Sequence, residues 1–273
     1  MEKNKRFSVD GKVIVVTGAT GILGQAFITA LAEEGAIVGV LGRNEKVAQE
    51  RVDAIVNNGG KAITLIADVL NQDQLIAAQE LLLQTYGRID GLVNGAGGNM
   101  PGAVIAPDQD VFHLDFDALM QVMNLNLFGS MLPTQIFGQA IASQGAGSIV
   151  NISSMASQTV ITKVLGYSLA KSAIDSYTKW FAVELGKRHG DAIRMNAIAP
   201  GFFLTEQNRT LLTKGDGTMT DRGNLVLQNT PFNRFGEPNE LIGALLWLLS
   251  DASKFVTGTV VNVDGGFSIF SGV

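Results

Sequence analysis

Seven short runs of β-branched and aliphatic residues alternate with helix-length segments along this chain of 273 residues. The runs lie at 13–16, 37–41, 62–67, 91–94, 148–152, 193–198 and 260–263. They are nearly continuously apolar instead of alternating, which is typical of strands buried on both faces. Helices between buried strands imply right-handed crossovers, so the sequence predicts an α/β fold with a parallel seven-stranded sheet.

The predicted architecture is a doubly wound, Rossmann-type sheet with helices on both faces, in which ligands bind at the carboxyl ends of the strands. No repeat, low-complexity stretch or linker interrupts the chain, which indicates one domain over 1–273. The segment 202–234 is too long for an ordinary connection and is predicted to be a substrate lid, since 206–212 has a helical pattern. The alternative is a surface excursion without a role.

Composition excludes several functional classes. The chain has no cysteine, two histidines and no HExxH pattern, which argues against disulfides, thiol nucleophiles and metal sites. A net charge of −5 without a basic run argues against nucleic acid as a partner. The N-terminus has no signal-peptide pattern and no run reaches the ~20 apolar residues of a membrane span, so a cytoplasmic enzyme with no membrane partner is expected.

A glycine-rich turn, TGATGILG at 17–24, follows the first predicted strand and opens a helix. Glycine permits a tight turn and lets backbone N–H groups approach a pyrophosphate, whose charge the helix N-terminus favours. The strand–turn–helix context makes dinucleotide binding the better interpretation, with packing as the alternative. The candidate contacts are Gly18, Thr20, Gly21, Ile22, Leu23 and Gly24.

The end of the second strand is expected to read the adenosine ribose. Arg43 and Asn44 stand there, where a carboxylate would favour NAD and an arginine can pair with a 2′-phosphate. The cofactor is therefore NAD or NADP, with a slight lean to NADP, although an arginine stacked on adenine has the same sequence. Asp68 and Val69 follow the third strand, where Asp68 holds the adenine amino group or acts as an ordinary turn residue.

Tyr167 and Lys171 are one helical turn apart and so share a helix face. Reduction of a ketone by hydride transfer leaves an alkoxide that needs a proton at neutral pH, whereas a phenol has a pKa of about 10. A neighbouring lysine cation is expected to lower the tyrosine pKa. Ser154, just beyond the fifth strand, is placed to hold the substrate oxygen by a hydrogen bond.

Further motifs follow the other strands in order: NGAG at 94–97, Asn126, PGFFLT at 200–205 and DGG at 264–266. With Ser154, Tyr167 and Lys171, these motifs resemble the short-chain dehydrogenase/reductase family from Gly11 to Gly266. The resemblance implies that Tyr167 is the general acid/base, that Lys171 tunes it and bonds the nicotinamide ribose, that Ser154 polarises the carbonyl, and that Asn126 anchors a water-mediated proton relay. It also implies that cofactor contacts come from Asn94, Gly95, Ala96, Gly97, Pro200, Gly201, Phe203 and Thr205, besides Tyr167 and Lys171.

The glycine turn departs from the family pattern. Members of this length carry glycines at the second, sixth and eighth positions, whereas this chain has Gly18, Gly21 and Gly24, with Ile22 at the sixth. The spacing is similar to that of the longer, epimerase-type branch, but the short chain and the DGG ending argue against that branch. The departure affects the placement of the middle glycine against the phosphates.

Details around 94–101, 129–135, 199–209 and the C-terminal tail resemble the D-mannonate oxidoreductase (fructuronate reductase) branch. That resemblance implies a small-molecule sugar-acid substrate, with D-fructuronate reduced to D-mannonate. Carbonyl contact is expected from Ser154, hydroxyl contacts from Asn99, Gln158 and Gln207, and a carboxylate partner from Lys163 or Arg209. Three alternatives stay open: a keto-gluconate reductase, a 3-oxoacyl thioester reductase and a catalytically idle dinucleotide-sensing protein. A polar lid argues against the acyl chain of the second.

Two helices carry more large apolar residues than a sheet-facing stripe needs: the helix after Asn126 and the one that contains Tyr177, Trp180 and Phe181. The family resemblance implies a homotetramer joined through these helices. A wholly internal use of the residues is the alternative.

Overall fold

The computed structural model describes residues 5–106, 108–204, 209 and 211–272. All seven predicted strands are confirmed. Their bounds are β1 Val13–Thr17, β2 Ile37–Gly42, β3 Lys61–Ile66, β4 Gly91–Asn94, β5 Gly147–Ile152, β6 Ile193–Pro200 and β7 Val260–Val263. They form one central sheet in the order β3-β2-β1-β4-β5-β6-β7, with every neighbouring pair parallel.

Helices cover both faces of the sheet, as the continuous apolar strands predict. The helices are α1 Ile22–Glu33, α2 Glu45–Asn57, α3 Gln72–Tyr86, α4 Phe116–Met123, α5 Gly129–Gln144, α6 Leu165–His189, α7 Asp221–Gln228 and α8 Ile242–Leu249. One apolar core joins the sheet to α1, α2 and α8, and a second joins it to α3, α5 and α6. The Rossmann-type fold is thereby confirmed.

The strand order reverses between β1 and β4, which are hydrogen-bonded neighbours. The connections that leave these two strands run to opposite sides, so a crevice opens at their carboxyl ends. Within the described ranges, no helix combines the length and apolar character needed to cross a membrane.

The segment predicted as a lid follows β6, and its described part takes part in two isolated bridges. Phe203 forms a parallel bridge with Gly236, and Thr213 forms an antiparallel bridge with Met219. Helix α7 follows, with the Thr220 side chain accepting from the Gly223 amide as its N-cap. Thr205 and Gln207 lie outside the described residues, and so do Glu206 and Asn208.

Candidate active site

A cavity of about 600 Å³ lies in the crevice at the carboxyl ends of β1, β2, β3 and β4. Twelve of the predicted cofactor contacts line it: Gly18, Thr20, Gly21, Ile22, Leu23, Gly24, Arg43, Asp68, Val69, Gly95, Ala96 and Gly97. The sequence did not single out five other lining residues, which are Leu41, Gly42, Arg51, Ala67 and Leu125. The volume of the cavity and its extent across four strand ends suit a dinucleotide.

The glycine turn forms a cradle that side chains would fill. Gly18 has φ +67°, and a Cβ there would lie 2.7 Å from the Ala96 nitrogen. A Cβ at Gly24 would lie 2.2 Å from the Gly18 carbonyl oxygen, so both positions require glycine for internal reasons. Gly21 differs, because its φ is −83° and its nearest neighbour would be 3.4 Å away. Its lack of a side chain leaves the cavity wall open at the start of α1.

Two guanidinium groups line this cavity beside the ends of β2 and β3, where the sequence predicts the adenosine ribose. Arg43 lies 3.4 Å from Asp68, and its side chain is 73% exposed. Arg51, on α2, lines the same cavity, and its Nε has no hydrogen-bond partner among the described residues. Asn44 has a different position from the predicted one: its side chain accepts from the Val47 amide and caps α2. Arg51 was missed because its place depends on how α2 packs.

Asn94 is buried below the cavity and does not line it. Its amide donates to Thr134 Oγ1 and to Asn151 Oδ1, both at 2.8 Å, and thus joins β4 to α5 and β5. The neighbouring amides of Gly95 and Ala96 donate to Thr17 Oγ1 at 3.1 Å, which holds the chain after β4 against β1. The NGAG motif therefore shapes the cofactor cavity partly from beneath.

A second cavity, of about 580 Å³, adjoins the carboxyl ends of β5 and β6. Ser154 and Tyr167 both line it, as predicted for groups that contact a substrate. Ser154 follows β5 in extended backbone, and its Oγ accepts from the Ala156 amide at 3.1 Å. Tyr167 is in the first turn of α6. The structure thus brings together two side chains that are thirteen residues apart in sequence.

Lys171 lies behind Tyr167 in the protein interior. Its Nζ donates to the Ile152 carbonyl at 2.7 Å and lies 5.5 Å from the centroid of the Tyr167 ring. Burial lowers the pKa of Lys171 to about 8, and the negative charge of Asp175 opposes that fall. Burial also raises the pKa of Tyr167, with hydrogen bonding to Ser154 acting the other way. Desolvation of the phenolate thus outweighs the lowering of the Tyr167 pKa that was expected from a neighbouring lysine.

Asn126 is buried in a π-helical turn, Asn124–Phe128, that joins α4 to α5. Its amide donates to the Gly98 carbonyl at 2.7 Å and its Oδ1 accepts from the Gly98 amide at 3.0 Å. A Cβ at Gly97 would lie 2.7 Å from this Oδ1 and 3.3 Å from Lys171 Nζ. Asn126 and Lys171 therefore meet at Gly97, which also lines the cofactor cavity. A π-helical turn is common at functional sites and has no sequence signature.

Of the predicted substrate contacts, Asn99 and Ser154 line the second cavity, whereas Gln158, Lys163 and Arg209 do not, and Gln207 lies outside the described residues. Gln158 forms a pair of amide hydrogen bonds with Asn262 on β7. Lys163 is exposed, with φ +74°, and its carbonyl accepts from the Ile105 amide. Arg209 is exposed as well, and its carbonyl accepts from the Thr213 amide.

The cation that does line this cavity, among the described residues, is Arg222 of α7. Its Nη2 lies 3.4 Å from the Thr162 carbonyl. Most other lining residues are apolar, namely Met100, Pro101, Val104, Ala106, Met155, Ala156, Ile161, Val164, Phe202, Leu211 and Leu212, with Gly201 beside them. To this cavity, the described part of the predicted polar lid thus contributes three apolar side chains and one guanidinium.

Three residues predicted to contact the cofactor near its nicotinamide differ in their surroundings. Gly201 lines the second cavity, and a Cβ there would lie 2.6 Å from Asp264 Cα. Pro200 ends β6 and is buried. Phe203 is a core residue whose ring closely approaches Gly236. The motif at 200–205 thus contributes packing as well as a cavity wall.

Comparison with known proteins agrees with this geometry. A family model described as Enoyl-(Acyl carrier protein) reductase matches residues 18–268. The uncharacterized oxidoreductase UxuB of Bacillus subtilis is 41% identical, over 96% of this chain and 97% of its own. The chain belongs to the short-chain dehydrogenase/reductase family and is an NAD(P)-dependent oxidoreductase that acts on CH–OH groups.

Two solved structures are similar over nearly the whole chain. A protein from Haemophilus influenza, provisionally described as a D-mannonate oxidoreductase, has bound NAD; it is 42% identical with a TM-score of 0.90, over 97% of this chain and 98% of its own. A gluconate 5-dehydrogenase from Burkholderia cenocepacia, in complex with NADP and tartrate, is 31% identical with a TM-score of 0.86, over 97% and 98%.

Proposed function

We propose that the protein interconverts a keto sugar acid and its alcohol, with D-fructuronate and D-mannonate as the first pair to test. The observation that carries this proposal is that Arg222 lines the same cavity as Ser154 and Tyr167. A guanidinium binds a carboxylate through charge-assisted hydrogen bonds and can do so in bidentate geometry. An acid whose carboxylate contacts Arg222 would place its carbonyl group beside the hydroxyl groups of Ser154 and Tyr167 in the same cavity.

The proposed chemistry divides between cofactor and protein. The nicotinamide, when bound, supplies or accepts the hydride. Ser154 donates a hydrogen bond to the carbonyl oxygen, and Tyr167 Oη donates the proton that this oxygen needs as negative charge develops. Lys171, held to the Ile152 carbonyl, stabilises the phenolate that remains. Asn126 positions the backbone at Gly98 and connects this group to the cofactor cavity.

The described relatives support the same substrate class. The 42% identical neighbour is provisionally a D-mannonate oxidoreductase, and the gluconate dehydrogenase neighbour was solved with tartrate, a hydroxy acid. An anionic hydroxy acid and a cavity with one guanidinium are chemically matched. The substrate contacts predicted for Gln158, Lys163, Gln207 and Arg209 are not needed for this proposal.

The test is a matrix of initial rates with NADH and NADPH, each with D-fructuronate, a keto-gluconate and an acetoacetyl thioester. We expect turnover of a sugar acid, with Arg222→Ala raising its KM roughly 10- to 100-fold, the value of a hydrogen bond to a charged group. Arg188→Ala is the matched control, because Arg188 pairs with Glu184 at the far end of α6. Absence of turnover with every sugar acid would refute the proposed substrate.

A second candidate follows from the apolar walls of the same cavity. Met100, Val104, Ile161 and Leu212 are among eleven apolar side chains that would suit an acyl chain, and the matched family model is described as Enoyl-(Acyl carrier protein) reductase. For this 3-oxoacyl thioester reductase, Arg222 has no carboxylate to bind. Turnover of acetoacetyl thioester that Arg222→Ala leaves unchanged would favour the second candidate.

We propose that both NAD and NADP are accepted, with a preference for NADP. Arg43 and Arg51 line the adenosine end of the cofactor cavity, where a 2′-phosphate would carry negative charge. Asp68 accepts from Arg43 at 3.4 Å and so holds that guanidinium near the cavity. The NAD-bound and NADP-bound neighbours are consistent with use of either cofactor.

We propose that residues 1–273 form one domain in which the segment 202–234 acts as a lid. Phe202, Leu211, Leu212 and Arg222 all belong to this segment and all line the substrate cavity. Limited proteolysis tests the proposal: NADP together with D-mannonate should protect the segment from cleavage. Equal cleavage with and without these ligands would contradict a lid.

We propose a homotetramer that is joined through α5 and α6. On α6, Trp180 and Val183 are 63% and 56% exposed, whereas Ile174 is fully buried. Exposed large apolar side chains on one helix favour association with a second copy. Light scattering should give a mass of four 28.9 kDa chains. Trp180→Glu should lower that mass, and a monomeric wild-type protein would refute the assembly.

A further inference from the structure

Asp175 is a buried carboxylate for which the proposed mechanism has no use. It is on α6, one turn after Lys171, and only 7% of it is exposed. Its two oxygens accept from two serines: Ser153 Oγ donates to Oδ1, and Ser157 Oγ donates to Oδ2 at 2.6 Å. Burial of a carboxylate is costly unless hydrogen bonds compensate for the lost water. This arrangement therefore calls for an explanation.

The two serines stand on either side of Ser154. Ser153 precedes it directly, and Ser157 Oγ also lies 2.7 Å from the Ser154 carbonyl oxygen. A third serine, Ser172 of α6, donates to the Ser157 carbonyl at 3.1 Å. The segment 153–157 is thus bound to α6 on both sides of the residue that is proposed to hold the substrate oxygen. Helix α6 also carries Tyr167 and Lys171, so these bonds determine where Ser154 lies relative to both.

The carboxylate also acts on Lys171. Among the described residues, the titratable groups that face Lys171 are Tyr167 and Asp175, both on α6, while β5 presents the neutral Ile152 carbonyl and the π-helical turn presents the neutral Asn126. Burial lowers the pKa of Lys171, and Asp175 opposes this fall. A negative charge here helps to keep the lysine protonated in a desolvated position.

We propose that Asp175 is a positioning residue for the reaction: its carboxylate binds the segment around Ser154 to α6 and places a negative charge beside Lys171. The inference rests on the catalytic roles proposed above for Ser154, Tyr167 and Lys171. It adds a group that contacts neither substrate nor cofactor and acts through these three residues.

Two substitutions separate the charge from the hydrogen bonds. Asp175→Asn removes the charge, while its amide can still accept from one serine and donate to the other. Ser157→Ala removes one hydrogen bond and leaves the charge. Asp90→Asn is the matched control, since Asp90 is similarly buried and hydrogen-bonded but precedes the central strand β4, at the amino ends of the strands and away from the site.

The first readout is the pH profile of kcat/KM for oxidation of D-mannonate, or of whichever alcohol the rate matrix identifies. We expect Asp175→Asn to move the alkaline limb, where Lys171 loses its proton, to lower pH by on the order of 1 unit, as removal of a nearby opposite charge does. Ser157→Ala should lower kcat and leave the limb in place. Asp90→Asn should leave both the limb and kcat unchanged.

The second readout needs no substrate, so it stays valid if the proposed substrate is wrong. Urea unfolding at pH 7 measures how far Asp175→Asn lowers the midpoint in the wild type and in the Lys171→Met background. We expect a larger shift in the wild type, because the charge has a partner there. Equal shifts in both backgrounds, together with an unmoved alkaline limb, would overturn the inference and leave Asp175 as a structural tether only.

Discussion

Replacement of Lys171 should make the protein inactive and change how its stability depends on pH. The lysine is 4% exposed, and burial lowers its pKa from 10.5 to about 8. One pKa unit corresponds to about 1.4 kcal/mol, so the buried ammonium costs the folded state about 3 kcal/mol below pH 8. That cost disappears above pH 10.5, where the lysine is neutral in both the folded and the unfolded states.

The sign follows from proton binding. Between pH 8 and 10.5 the unfolded chain holds the Lys171 proton and the folded protein does not, so this group makes stability rise with pH. Lys171→Met removes the effect. The free energy of unfolding of the variant minus that of the wild type should therefore be about 3 kcal/mol more favourable to the variant at pH 7 than at pH 10.5. Loss of the hydrogen bond to the Ile152 carbonyl costs about 1–3 kcal/mol at either pH and does not alter the difference.

The assay is urea unfolding of both proteins at pH 7 and pH 10.5, at one protein concentration because assembly affects apparent stability. A Tyr167→Phe background removes the titration of the neighbouring phenol. Lys46→Met, an exposed change on α2, is the control and should show no such pH-dependent difference. If the free-energy difference between the wild type and Lys171→Met is the same at both pH values, the argument for a destabilising buried ammonium is refuted.

Three further predictions concern the two cavities. Tyr167→Phe should lower turnover by roughly 100-fold or more, the usual contribution of a general acid, while NADPH binding measured by fluorescence is retained; full activity would exclude the proton-donor role. Gly24→Ala should have a lower melting temperature than the wild type, because its Cβ would meet the Gly18 carbonyl oxygen at 2.2 Å. Gly21→Ala should keep the wild-type melting temperature and bind NADPH more weakly. A lower melting temperature for Gly21→Ala than for Gly24→Ala would contradict the cradle geometry. Arg43→Ala and Arg51→Ala should each raise the Kd for NADPH more than that for NADH in titrations, and equal changes would argue against a 2′-phosphate contact.

Much of the fold was predictable because its signals are local. The strands at 13–16, 37–41 and 193–198 are continuous apolar runs, and burial on both faces follows from that composition alone. The structure extends the last of these to Pro200. The turn around Gly18 was also predictable, because positive φ and close backbone approach demand glycine wherever they occur.

The candidate catalytic group was partly predictable for the same reason. Tyr167 and Lys171 share a helix face by spacing, and Ser154 stands at a strand end that parallel topology brings to the site. Asn44 and Gln158 were predicted to contact ligands, yet they form a helix cap and a side-chain pair with Asn262. Short polar side chains suit caps and pairs as well as ligands, and their neighbours decide between these uses.

The parallel doubly wound sheet, the glycine cradle and the pairing of Tyr167 with Lys171 follow from local sequence, because each depends on periodicity or on conformations that few residues adopt. Packing between distant elements places Arg222 and Arg51 against the cavities, binds Asp175 to the segment around Ser154, and makes burial the largest influence on the pKa values of Tyr167 and Lys171. These properties depend on contacts between distant segments and on the exclusion of water, and neither is encoded in local spacing.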